Sequence, residues 1–135
     1  MPKLRNYSLF KQESNTEEYV LANLTRWDRS LLAQLRFGTL PLNIECGRAR
    51  NLPVQNRLCK LCSLDEIEDE FHFIFVCPLY AGMRNLLLDG IKMENSDFDD
   101  LTPENKLSVF FNSDVKLIIK FLSTAWSCRT KHLYK

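Results

Sequence analysis

Apolar residues recur at intervals of three and four along most of the chain, the spacing of a helix face and not of a strand. A capping-box pattern, Ser14 with Glu17, precedes Val20, Leu24, Trp27, Leu31 and Leu35, which predicts a helix stopped by Gly38 and Pro41. Residues 40–46 are short and bounded by proline, so they read as extended or looped, and 47–53 as a turn-rich connector. From Asp65 a second helix is expected, with Ile67, Phe71, Ile74 and Phe75 on one face. Glu66, Glu68, Asp69 and Glu70 would load its positive dipole end. Pro78 suits the first position of a third helix carrying Leu79, Met83, Leu86 and Leu87, with Gly90 as its stop. Residues 93–100 form an acidic loop, and Thr102–Pro103 reads as N-cap and first residue of a short helix bearing Leu107, Phe110 and Phe111. A last helix begins near Asp114 and buries Val115, Ile118, Ile119, Leu122 and Trp126.

The sum is a mainly α, small helical domain interrupted by one irregular loop, with room there for a short β-hairpin. Its parts are an N-terminal helical segment (1–56), the loop with its following helix (57–90) and a C-terminal helical segment (91–135), together one compact domain. Composition allows such a core: Leu, Ile, Val and Phe make up roughly 31% of the 135 residues, well above the level of disordered chains. The longest apolar stretch near the C-terminus is broken by Lys116 and Lys120, so no membrane segment is expected. The first residues lack the apolar core of a secretory signal. The expectation is an intracellular protein, nuclear or cytoplasmic, whose five cysteines stay reduced.

Four of the residues suited to metal binding fall in one short window. Cys59 and Cys62 are two residues apart, His72 follows after nine more, and Cys77 after a further four. Zinc takes four such ligands in a tetrahedron. A tight turn directs both sulfurs of a C-x-x-C pair to one point, and Pro78 biases Cys77 out of helical dihedrals so that it points back. Buried thiols on apolar faces are the bland alternative; the paired spacing favours one structural Zn2+ on Cys59, Cys62, His72 and Cys77. With all four positions filled by protein, no open position is left for an activated water. Cys46 and Cys128 read as packing residues, and His132 as part of a polar tail.

Net charge is only +1, but it is segregated. Residues 1–63 hold ten Lys/Arg against five Asp/Glu, residues 64–104 two against eleven, and residues 105–135 six against one. Arg26, Arg29 and Arg36 share a helix face, and Arg48, Arg50, Arg57 and Lys60 lead into the Cys/His loop. Those four are candidate phosphate contacts. The equal alternative is a solvated face paired with the acidic run 66–70. Phe71, Phe73 and Phe75 are candidates for stacking on bases, although Phe71 and Phe75 share the apolar face and fit a core role better.

The chain also resembles the C-terminal zinc-binding (CCHC) region of non-LTR (LINE-type) retrotransposon reverse transcriptases. The likeness is carried by Leu4 to Tyr7, Phe10–Lys11, Leu35 to Gly38, Leu40 to Leu42, Ile44–Glu45, Gly47–Arg48, Pro53–Val54, Arg57 to Cys62, Asp69 to Phe73, Cys77 to Tyr80, and Arg84. It spans roughly residues 3–90, about two thirds of the chain. The resemblance implies that the ligands are Cys59, Cys62, His72 and Cys77, and that the region helps to hold RNA or DNA. It does not imply polymerase activity, because no Tyr-x-Asp-Asp motif is present. Asp99–Asp100 falls in the acidic loop, and no nuclease motif follows the knuckle. The expected product is a non-catalytic nucleic-acid-binding module, and the competing reading is a zinc-stapled structural or protein-interaction domain.

Overall fold

The computed structural model describes residues 24–133, so the Ser14–Glu17 capping box, Val20 and the motif at residues 4–11 lie outside the described residues. The described part is mainly α-helical, with no strand. The helices are α1 (Arg26–Arg36), α2 (Asn43–Ala49), α3 (Ala81–Glu94), α4 (Pro103–Phe111) and α5 (Val115–Leu133), with a π-helical turn at His72–Val76 between α2 and α3. No described helix is long and apolar enough to cross a membrane. The long α5 is the spine, against which α1 and α3 pack.

Local chemistry explains most boundaries. α1 begins at Arg26 because the Thr25 hydroxyl accepts a hydrogen bond from the Asp28 N–H. It ends at Arg36, and Gly38 just beyond the Phe37 cap turns the chain away with a φ of 69°, open to glycine without strain. Leu31, Leu32 and Leu35 are buried, but Trp27 stands in the first turn with 56% of its surface exposed, so it is not part of the apolar face. Thr102 caps α4 by accepting from Asn105 N–H, with Pro103 in the first turn. α5 buries Val115, Ile118, Ile119, Leu122 and Trp126 as its spacing predicts, along with Phe121, Ala125 and Arg129.

Three expectations are corrected. Residues 43–49 are helical, not looped. α3 runs through Gly90 to Glu94, and Gly90 serves instead as a close-approach point, where a Cβ would lie 2.6 Å from Leu117 Cδ2. The helix expected from Asp65 starts later: Leu58 and Ile67 form an isolated antiparallel bridge, with Cys59 N–H donating to Glu66 O (2.8 Å) and Glu68 N–H to Arg57 O (3.0 Å). That pairing holds residues 66–68 extended, and Asp65, with φ of 55°, makes the turn before them. The bridge is all that the described residues show of the expected hairpin.

One continuous apolar cluster joins residues from all three sequence segments. Phe73 is its aromatic centre, fully buried and packed on Tyr80, Phe121 and Trp126 at ring-centroid distances of 5.0, 5.9 and 6.0 Å. Phe75 meets Phe98 and Phe110 and Phe71 packs on Phe75, both of them half-buried. The stacking candidate Phe73 is therefore the most deeply buried of the three. The wider π turn, marked by Cys77 N–H donating to His72 O five residues back (2.8 Å), shifts the facing expected from a 3.6-residue period.

Candidate metal centre

Three of the four donors are delivered by distinct local devices. The bridge between residues 57–59 and 66–68 brings Cys59 to the mouth of a tight loop, and Leu61 N–H donates toward the Cys59 sulfur (3.4 Å). The Asp69 carboxylate accepts from His72 N–H (2.8 Å), capping the turn on which the imidazole is mounted. Cys77 takes an extended conformation (φ −58°, ψ 123°) ahead of Pro78 and ends that turn.

The four donor atoms converge: those of Cys59, Cys62, His72 and Cys77 all lie within 4.8 Å of one another. Cys62 Sγ and His72 Nε2 are 3.5 Å apart. A tetrahedral ion with metal–sulfur bonds of about 2.3 Å sets its donors roughly 3.5–3.8 Å apart, so the residues fit such an ion with small adjustments. Cys59, His72 and Cys77 are buried and Cys62 half-buried. Burial pushes the Cys59 thiol up to about 12 and the Cys77 thiol upward as well, and it holds the His72 imidazole below its ordinary value. Burial thus favours the uncharged forms of Cys59, Cys77 and His72; a bound dication would supply the charge that lets thiolates persist there.

The surroundings complement such a centre. A divalent ion with three thiolates and a neutral imidazole carries one net negative charge. Arg84, 7% exposed, donates from Nε to Ile74 O and from a terminal nitrogen to Cys77 O, both at 2.7 Å. A buried cation is thus fastened to the end of the turn that carries two of the ligands. Behind Cys59, the Glu68 carboxylate receives two hydrogen bonds from Arg129, at 2.9 and 2.7 Å, with both side chains buried. Glu68 also caps α2, accepting from Asn43 N–H at its side chain (2.7 Å) and from Ile44 N–H at its backbone oxygen (3.1 Å).

No protein-family model, curated protein or solved structure matches the chain. The site must speak for itself.

The basic candidates divide. Arg48 pairs with Glu45, and Arg57 donates to Leu52 O and Ile44 O, fastening the loop to α2. Arg50 and Lys60 are exposed beside them. On α1, Arg26 and Arg29 face solvent while Arg36 is buried, so that face is not an even basic stripe. Cys46 does not join the cluster: its thiol lies 3.5 Å from Pro41 O. Cys128 Sγ is 3.7 Å from His132 Nδ1, and that nitrogen is 2.9 Å from Cys128 O, so His132 belongs to the ordered last turn of α5 and not to a loose tail. Glu68, Arg84 and Arg129 were not anticipated as site-supporting residues. A signal existed for the two arginines, because each occupies the next position of an apolar stripe: Arg84 before Leu87 and Ile91, Arg129 after Leu122 and Trp126.

Proposed function

We propose that the chain is a zinc-stapled nucleic-acid-binding module, with one structural Zn2+ on Cys59, Cys62, His72 and Cys77. The convergence of these four donors within 4.8 Å carries the reading. Three soft thiolates with one imidazole select Zn2+ over Mg2+ or Ca2+, and four protein ligands make a closed, non-catalytic centre. The module's role is to bind RNA or DNA, without polymerase activity, as the resemblance to the reverse-transcriptase zinc-binding region implies. Arg50 and Lys60 make the phosphate contacts, Arg57 holds the loop beside them, and Arg48 is engaged with Glu45.

The test is metal content per purified chain, followed by RNA and DNA affinity measured against salt. One zinc per chain is expected. Changing Arg50 and Lys60 together to Ala should lower the slope of log K against log salt by about 1.4–1.8, two phosphate contacts' worth. A metal-free folded chain defeats the zinc assignment, and binding independent of salt defeats the nucleic-acid role.

A specific observation favours the second reading, a zinc-stapled protein-interaction domain. The cleft beside His72 is lined by the carboxylates of Asp65, Glu66 and Asp69 and by Ile67 and Phe71, a surface that repels phosphate. Zinc-dependent folding with no affinity for either nucleic acid is its expected outcome.

A further inference from the structure

His72 has two ring nitrogens, and the structure gives them different surroundings. Nε2 faces the Cys62 sulfur at 3.5 Å. Nδ1 is buried and has no hydrogen-bond partner among the described residues. An imidazole that binds a metal through Nε2 carries its proton on Nδ1, and that N–H requires an acceptor. The Asp69 carboxylate already accepts from His72 N–H. Glu66 is different: its Oε1 lies 3.8 Å from Nδ1, and its side chain is 51% exposed, which leaves it room to turn. Its backbone, in contrast, is pinned, since Glu66 O accepts from Cys59 N–H.

We propose that Glu66 is a positioning residue for the metal centre. Its carboxylate accepts the hydrogen bond from His72 Nδ1–H and so holds the ring in the tautomer and orientation that present Nε2 to the ion. This rests on the metal-centre reading above and goes beyond the four ligands. Closing the gap to a hydrogen bond takes a movement of about 1 Å, which a half-exposed glutamate makes by a change of rotamer. The same peptide segment then ties two ligands together, Cys59 through the Glu66 backbone and His72 through the Glu66 side chain. A carboxylate in this role also makes the imidazole a stronger donor to the ion.

The experiment compares the zinc-loaded full chain with Glu66→Gln, Glu66→Ala and Asp65→Asn. Asp65→Asn removes an equal charge from the same cleft and suits the positive φ at that position. Zinc affinity is read by competition with a chromophoric chelator, and the His72 ring by 15N NMR. Glu66→Ala should weaken zinc by about 10–100-fold, with Glu66→Gln between it and the wild type and Asp65→Asn unchanged. The wild type should show a slowly exchanging Nδ1–H proton that is lost in Glu66→Ala. Unchanged affinity in Glu66→Ala, an equal loss in Asp65→Asn, or a wild-type ring protonated on Nε2 overturns the proposal while leaving the zinc site standing. A wild-type chain that takes up no zinc overturns both.

Discussion

At the scale of single residues, the molecule separates the four candidate metal donors from look-alikes. Five cysteines share one chemistry, yet only Cys59, Cys62 and Cys77 meet with His72. On the zinc reading, replacing Cys59 or Cys77 by Ser should lower bound zinc from the proposed one per chain to near zero, whereas Cys46→Ser and Cys128→Ser should leave it intact, as checked by elemental analysis. Phe73 is fully buried among three other rings, and Phe73→Ala should destabilise the fold by about 3–5 kcal/mol in urea titration. The Glu68–Arg129 pair is a different matter. Its burial is not by itself a source of stability, but removing one partner leaves the other charged and dry. Arg129→Leu should cost about 3–5 kcal/mol, measured the same way.

At the scale of elements, one short helix holds its shape only through its neighbours. α2 is seven residues long, too short to persist alone. Its N-cap is Leu42, which offers no side-chain acceptor; Glu68, distant in sequence, supplies one in its place. The loop end of α2 is clasped by Arg57. A Cβ at Gly47 would fall 2.4 Å from Arg57 Cγ, so Gly47→Ala should push that side chain off Leu52 O and Ile44 O. A loss of about 1–3 kcal/mol is expected in thermal or chemical denaturation. A gain in stability would show that the clasp has slack.

At the scale of the whole molecule, the Cys/His loop is tied to both the early and the late helices: to α2 through Arg57 and Glu68, to α3 through Arg84, and to α5 through Arg129. On the zinc reading proposed above, metal binding and folding are one equilibrium. Chelating the ion should lower the thermal midpoint of the whole domain and not merely loosen the loop. Circular dichroism and near-ultraviolet signals should fall together on adding chelator and return on adding zinc. Retention of the full aromatic signal after metal removal would show that the helices stand without the knuckle.

Sequence alone determined the elements whose signals are local: the Gly38 stop, the Thr102–Pro103 start of α4, the buried stripe of α5, and the Cys/His spacing that marks the candidate metal cluster. Each depends on groups within a few residues of one another, so the physics is complete in a short window. What only tertiary structure decided is everything that depends on a distant partner. The Glu68 cap that makes α2 a helix, the pairing of 57–59 with 66–68 that delays the next helix, and the π turn that drives Phe73 inward all belong to this class. So does the division of the basic residues, for a guanidinium is free to meet a phosphate only when no folded neighbour already holds it.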